Sequence, residues 1–315
     1  LYHQIAVLGA GTMGSGLAQL FARCGMPIML YDPDRKALDK ARAAIARSAE
    51  LHIREWPNER KAWEQATDKI RMTEDAKEAV QGADFVLEAG PENIGIKRDI
   101  YKAIAPFLGD ETLVASNTSS LALDTLVQGQ PFGDRFVIAH FFNPAHLVPL
   151  VEIVKRPDTR KDLTDRLIGV LVQCGKAPVI LKKDCPGFIA NRLQAAVLRE
   201  ACHLLRSGVA DAEQIDRAMR EGPGLRWAIN GPFEIADFGG LDIWEKVTDN
   251  LFPSLDNGLT SPEPIRDNVS NGKLGVKAGS GFYEYGDGLG RETIIEQRDR
   301  NFTQLIRLKK ELKST

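Results

Sequence analysis

One histidine and one glutamate carry the chemistry this chain could do. His140 follows the apolar run Phe136-Val137-Ile138-Ala139 and opens the stretch His140-Phe141-Phe142-Asn143-Pro144. Glu152 comes twelve residues later, inside a second apolar run, Leu150-Val151-Glu152-Ile153-Val154. Histidine titrates near neutral pH, so it can take a proton from a hydroxyl and return it. The imidazolium so formed needs a counter-charge and a fixed ring, and a carboxylate on the other ring nitrogen supplies both. A carboxylate buried in an apolar run is costly unless it is paired, which makes His140 the expected partner of Glu152. A histidine in such a context, taken alone, is more often a satisfied core residue than a catalyst. The catalytic reading therefore depends on what else the chain brings to the same place.

A second group sits at the start. Gly9-Ala10-Gly11-Thr12-Met13-Gly14 follows the apolar strand Gln4 to Leu8 at once, a helix with Leu17, Leu20 and Phe21 comes next, and a second strand, Pro27 to Tyr31, ends at Asp32. Strand, GxGxxG, helix, strand and terminal acid within about 30 residues form a dinucleotide-binding unit. Gly9 permits the tight turn, Gly11 lets backbone approach a pyrophosphate, and Gly14 lets the helix pack close to the sheet. The helix that opens at Thr12 and Met13 offers free N–H groups and a positive dipole end to the phosphates. Asp32 would accept from both adenosine ribose hydroxyls and repel a 2′-phosphate. The cofactor expected is NAD, with Arg35 the one nearby residue that would suit NADP.

These residues need elements to hold them. After Asp32 a charged, helix-rich stretch runs to Thr67, broken at Trp56-Pro57-Asn58, which reads as a helical hairpin over about 34–67. Strands follow at Lys69 to Met72, Phe85 to Glu88, Thr112 to Ala115, Arg135 to Ala139, Leu150 to Val154 and Ala177 to Leu181, with helices between most of them. This alternation predicts an α/β fold, a Rossmann-type mostly parallel sheet with helices on both faces. Gly9, Asp32, Glu88, Ser116 to Ser120 and His140 all fall at or just past C-terminal strand ends, the edge where such sheets bind ligands. Past Lys182-Lys183-Asp184 the pattern becomes helical, over Phe188 to Ser207, Asp211 to Glu221 and Phe233 to Thr248, with Gly222-Pro223-Gly224 and Asn230-Gly231-Pro232 as separators. The expected division is 1–184 as the NAD-binding domain and 185–315 as an all-α domain for substrate and dimerisation. Ser119 and Asn191, early in the first helix of that second domain, are the donors expected to hold a substrate oxygen. Ser119 would serve equally as a turn or cap residue. A last amphipathic helix, about Thr293 to Leu312, carries Lys309, Lys310 and Lys313 where cations suit the helix dipole.

Composition narrows the classes. A net charge of −2 argues against nucleic acid or an anionic membrane as partner. No apolar run reaches the roughly 18 residues of a membrane span, and no signal peptide is expected ahead of the first strand. The four cysteines, Cys24, Cys174, Cys185 and Cys202, lack metal-ligand spacing, so no metal is expected. They read as reduced thiols of a cytoplasmic protein, with Cys185 beside Pro186 a packed loop residue or a reactive thiol.

At these residues the chain resembles the L-3-hydroxyacyl-CoA dehydrogenase family, from Gly9 to Tyr285. The matching segments are the glycine motif, Pro91-Glu92-Asn93, Ser116-Asn117-Thr118-Ser119-Ser120, His140 to Pro144 with Glu152, Pro186-Gly187-Phe188-Ile189-Ala190-Asn191-Arg192, and Gly279-Ser280-Gly281-Phe282-Tyr283. The resemblance implies His140 as catalytic base, Glu152 as its orienting partner, and Ser119 and Asn191 as substrate contacts. It implies cofactor contacts at Glu92 and Lys97, a nicotinamide pocket lined by Asn117 and Asn143, and a homodimer through the helical domain. Acyl-CoA members carry a serine and, seven residues on, a lysine for the CoA phosphate; Ser48 fits the first, and Glu55 stands at the second with the wrong charge. The loop Gly224-Leu225-Arg226-Trp227-Ala228-Ile229-Asn230-Gly231-Pro232 is longer than the acyl-CoA one and looks more like relatives that oxidise free hydroxy acids, gulonate 3-dehydrogenase (lens lambda-crystallin) and carnitine dehydrogenase. Arg226 would clamp a substrate carboxylate, or pair with a local acid such as Glu221. The first expectation is therefore an NAD-dependent L-3-hydroxyacyl-CoA dehydrogenase of fatty acid metabolism. The alternative is the same hydride chemistry on a free hydroxy acid, and the third is a non-catalytic, crystallin-like NAD-binding protein.

Overall fold

The computed structural model describes residues 2–314; the side chains of Glu55, Leu289, Lys310, Lys313 and Ser314 lie outside the described residues, and with them the expectations placed on Glu55, Lys310 and Lys313. Contacts divide the chain into two compact units, Leu1–Ile189 and Ala190–Thr315.

The first unit is built on eight strands: β1 (Ile5–Leu8), β2 (Ile28–Tyr31), β3 (Ile70–Thr73), β4 (Phe85–Glu88), β5 (Leu113–Ser116), β6 (Phe136–Phe141), β7 (Leu150–Lys155) and β8 (Ala177–Ile180). They lie in the order β3-β2-β1-β4-β5-β6-β7-β8. Every neighbouring pair is parallel except β6 and β7. The helices are α1 (Thr12–Arg23), α2 (Arg35–Glu55), α3 (Arg60–Thr67), α4 (Ala76–Val80), α5 (Ile94–Ile104), α6 (Leu123–Val127) and α7 (Lys161–Gln173). β1, β4 and β5 are buried along their whole length, as parallel strands between two helical layers must be. Their side chains alternate between two cores. Ile5, Val7, Phe85 and Leu87 pack with Leu17, Phe21, Leu38, Leu167 and Leu171 on one face. Ala6, Leu8, Val86 and Val114 pack with Val80, Tyr101, Ile104 and Leu126 on the other. Each large side chain so buried contributes about 1.5–3 kcal/mol. The strand order reverses beside β1, between β2 and β4, and the crevice past the carboxyl ends there is the ligand site of such sheets.

Several expectations change. His140 is not past the end of its strand but inside β6, whose antiparallel pairing with β7 sets it directly opposite Glu152. Cross-strand hydrogen bonds extend β6 beyond its apolar run, and periodicity does not register that. Cys24 and Cys174, expected as thiols, are joined in a disulfide across 150 residues, with Cα atoms 5.5 Å apart, within the usual range. They cap the C-termini of α1 and α7, which pack in the same core, and spacing in sequence cannot show that. Cys185 and Cys202 are free. In the second unit, Gly222-Pro223-Gly224 does not end a helix. A π-helical turn, Arg220–Gly224, carries the chain from α9 (Ala212–Met219) into α10 (Leu225–Trp227). The wider turn absorbs the N–H that Pro223 lacks.

The second unit continues with α8 (Ala190–Arg206), which precedes α9 in the chain, then α11 (Pro232–Gly239), α12 (Leu241–Leu251), α13 (Glu263–Ser270) and α14 (Gly288–Ser314). The helix expected over Phe233 to Thr248 is two, because Gly240 adopts φ +86° between them. Among the described residues no helix is long and apolar enough to cross a membrane.

Candidate active site

The glycines past β1 fit the group their motif predicts. Gly9 has φ +107°, and a Cβ on it would meet the Ala89 carbonyl oxygen at 2.7 Å. A Cβ on Gly14 would stand 1.7 Å from the carbonyl oxygen of Gly9, so only glycine lets α1 close on the turn. A Cβ on Gly11 would meet nothing within 4 Å, which leaves space over the helix end. α1 has no side-chain cap, and Thr12, Met13 and Gly14 begin it with amides free for an anion. The Asp32 carboxylate is set beside them, Oδ2 accepting from the Ala10 amide at 2.8 Å and Oδ1 from the Asp34 amide at 3.0 Å. A phosphate cradle with a fixed acid one strand away suits an adenosine dinucleotide.

Past β4 lies a hub that residue patterns only hinted at. Glu88 is fully buried and uses both oxygens. Oε1 accepts from Lys97 Nζ at 2.7 Å and the Gly90 amide at 2.6 Å; Oε2 accepts from Tyr101 at 2.8 Å and Ser116 at 2.7 Å. Burial, reinforced by Glu88, pushes the Tyr101 phenol far up, so it remains a donor. Lys97, 1 % exposed, also lies 3.5 Å from Glu92 Oε2. Glu92 Oε1 in turn gathers the serine loop, accepting from Thr118 Oγ1 at 2.6 Å, the Ser119 amide at 2.9 Å, the Ser120 amide at 3.0 Å and Ser120 Oγ at 2.9 Å. Burial alone would raise this carboxyl; the donors of Thr118, Ser120 and Ser119 and the charge of Lys97 outweigh it and hold it below the usual carboxylate range. Asn117 ties the loop to β6 by accepting from the Phe141 amide at 2.9 Å.

Next to that tie stands His140. Its Nδ1 lies 2.9 Å from Glu152 Oε2, with His140 6 % and Glu152 1 % exposed. A carboxylate at Nδ1 selects the tautomer with its proton there, leaving Nε2 to accept. Nε2 has no hydrogen-bond partner among the described residues. The rings of Phe142 and Phe188 lie against the imidazole, with centroids 4.8 and 5.3 Å away. An acceptor nitrogen, a buried counter-charge and neighbouring aromatic rings are what a general base for an O–H proton needs.

Residues 4–185 match the model of the 3-hydroxyacyl-CoA dehydrogenase NAD-binding domain, and residues 187–285 that of its C-terminal domain. The chain belongs to the 3-hydroxyacyl-CoA dehydrogenase family. Like that family it is an NAD-dependent dehydrogenase acting on CH–OH groups. One relative within it is the 5-formyl-3-hydroxy-2-methylpyridine 4-carboxylate 5-dehydrogenase of Mesorhizobium japonicum, 35% identical over 90% of this chain and 91% of its own. A crystal structure of an enzyme of that name, described as an NAD+-dependent dismutase, covers 98% of both chains at 33% identity, with a TM-score of 0.87. The (S)-3-hydroxybutyryl-CoA dehydrogenase of Ralstonia eutropha is 31% identical, covers 91% of this chain and 100% of its own, and has a TM-score of 0.73.

Within this family fold the residues singled out by sequence fall into groups. His140 and Glu152 meet, and Ser119, Glu92 and Lys97 form one connected network with Glu88. Asn143 is exposed and joined to Pro144 by a cis peptide. Ser48 is half-buried on α2 and hydrogen-bonds to none of these. Asn191 in α8 and Arg226 in α10 belong to the second unit. Arg226 is exposed and forms no ion pair with Glu221; the local pair is Arg220 with Asp216, at 4.0 Å. Glu88 and Lys97 are where residue patterns fell short: an acid ending an apolar strand signals a buried charge, but not the donors that gather on it.

Proposed function

We propose that this dehydrogenase oxidises the hydroxyl of a small free carboxylic acid, reversibly, with His140 as general base. The observation that carries the reaction is the His140–Glu152 pair with Nε2 open. Bound NAD supplies the hydride acceptor; Gly9, Gly11, Thr12, Met13, Gly14 and Asp32 would hold its phosphates and ribose, and Asn117 and Asn143 its nicotinamide. As the carbinol carbon gives up hydride, its O–H proton passes to His140 Nε2. Glu152 stabilises the imidazolium and keeps the ring from turning. Phe142 and Phe188 keep water from its faces. Ser119, its amide fixed by Glu92, donates to the substrate oxygen. Glu92 and Lys97 reach the cofactor through the loop they organise.

The free-acid reading is supported by the exposed, uncommitted guanidinium of Arg226, which offers a carboxylate a bidentate partner, and by Glu55 where a CoA phosphate would need a cation. The higher TM-score of the pyridine-carboxylate enzyme points the same way. The L-3-hydroxyacyl-CoA reading keeps Ser48 and the family's usual substrate in its favour. NADH consumption with acetoacetyl-CoA, set beside NAD reduction with small hydroxy acids, separates the two. We expect turnover with the acids and a loss of about tenfold or more in kcat/KM in Arg226→Ala, the worth of one charged hydrogen-bonded contact. Equal loss with both substrate series would make Arg226 structural, and turnover with thioesters alone would restore the acyl-CoA reading. No turnover with either would leave a non-catalytic NAD-binding protein. We also propose that the helical unit pairs with a second copy, since so many of its large apolar side chains face outward.

A further inference from the structure

One of the two rings against His140 belongs to the segment that leaves the first unit. In Pro186-Gly187-Phe188-Ile189, Gly187 has φ +77° and Phe188 φ +51°. Among the described residues Phe188 is the one non-glycine with positive φ. A bulky side chain stays in that region only where its surroundings hold it. Here they do. The ring is 1 % exposed in the core below the sheet, and the Phe188 amide donates to the Cys185 carbonyl at 3.0 Å. The Cys185 thiol donates to the Phe188 carbonyl at 3.6 Å, so that thiol is committed to the turn. The left-handed backbone turns the next amide back toward the sheet. Ile189 N–H donates to Glu152 Oε1 at 2.8 Å, the oxygen opposite the one His140 uses.

A carboxylate held by one oxygen can still swing about its own bonds, and the imidazole follows it. Held at both oxygens it cannot. We infer that Phe188 and the Ile189 amide are positioning groups for the general base: the ring closes one face of His140, and the amide locks Glu152 so that Nε2 keeps its aim. This deepens the reading of His140 as base and rests on it. It also assigns the strained backbone at 187–188 a task in catalysis, with no direct touch on substrate or cofactor.

The test replaces the 188–189 amide with an ester in the full chain, using the α-hydroxy analogue of isoleucine, which deletes one N–H and changes no side chain. Phe188→Ala is the second variant. We expect kcat to fall about tenfold or more, the scale of a hydrogen bond to a charged acceptor. Substrate KM and NAD affinity should stay within about twofold, and the solvent deuterium isotope effect on kcat should rise as proton transfer to Nε2 becomes slower. An unchanged kcat and isotope effect in both variants would overturn the inference. So would a kcat loss matched by equal losses in NAD affinity and melting temperature, which marks general loosening. His140→Gln separates the two readings. If it retains turnover, the base assignment has failed; if it abolishes turnover while the linker variants behave as wild type, only the positioning role has failed.

Discussion

At the scale of residues, the pair His140–Glu152 shows how environment can fit a common residue for proton transfer. In β6 the imidazole has a carboxylate on one nitrogen and, among the described residues, no hydrogen-bond partner on the other, which is the arrangement a base needs. His140→Gln keeps a polar side chain of similar reach but cannot accept and carry a proton. Turnover should fall at least ~10²-fold, the usual worth of a positioned base, while NAD affinity measured by fluorescence titration stays near wild type. Near-normal turnover would sink the assignment. Asp32 has a different task. Its oxygens already accept from the Ala10 and Asp34 amides, which fixes its negative charge beside the cradle. Asp32→Ala should weaken NAD and relax the rejection of NADP; an unchanged preference in paired NAD and NADP assays would mean that another residue reads the ribose. The pairing of His140 with Glu152 was legible because a lone acid in an apolar run demands a partner. The Glu88 hub was not, because its donors come from Gly90, Lys97, Tyr101 and Ser116, which only the packed sheet and α5 bring together.

At the scale of elements, the turn between β1 and α1 assigns two glycines opposite duties. Gly14 serves packing, since a Cβ there would overlap the Gly9 carbonyl; Gly11 faces open space. Gly14→Ala should therefore lower the melting temperature, with a cost of about 1–3 kcal/mol for overpacking, and NAD affinity should fall with it. Gly11→Ala should leave the melting temperature in place and weaken NAD alone, because its methyl would take up room meant for the pyrophosphate. Normal NAD binding by Gly11→Ala would show that the phosphates lie elsewhere. The β-α alternation was readable because period-2 and period-3.6 apolar patterns differ sharply along the first unit. The π-helical passage through Pro223 was not readable, since glycine and proline signal a break and only the surrounding helices decide that the chain runs on.

At the scale of the molecule, the two units differ in how they bury apolar surface. The sheet unit encloses two cores, whereas the helical unit has Cys202 and Ile235 as its buried apolar residues among those described. Phe233 is 86 % exposed, Phe238 79 % and Leu259 99 %. Apolar exposure of that kind marks an association surface. Sedimentation should give about twice the chain mass, and Phe238→Glu should shift the protein toward the monomer. A wild type that sediments as a 34.7 kDa monomer would refute the pairing.

Residue order alone was enough for the dinucleotide unit, the α/β class, the expectation that His140 and Glu152 pair, and the family, because these rest on short-range patterns: glycines at set spacings, apolar periods, one charge in an apolar run. Tertiary structure alone decided that the strands carrying His140 and Glu152 pair antiparallel, that Glu92 is spent on the serine loop, that Cys24 meets Cys174, and that the Ile189 amide donates to Glu152. Each of these joins residues far apart in the chain or depends on a backbone angle at one residue. Such proximity arises from packing two helical layers on a sheet, and no local pattern encodes it.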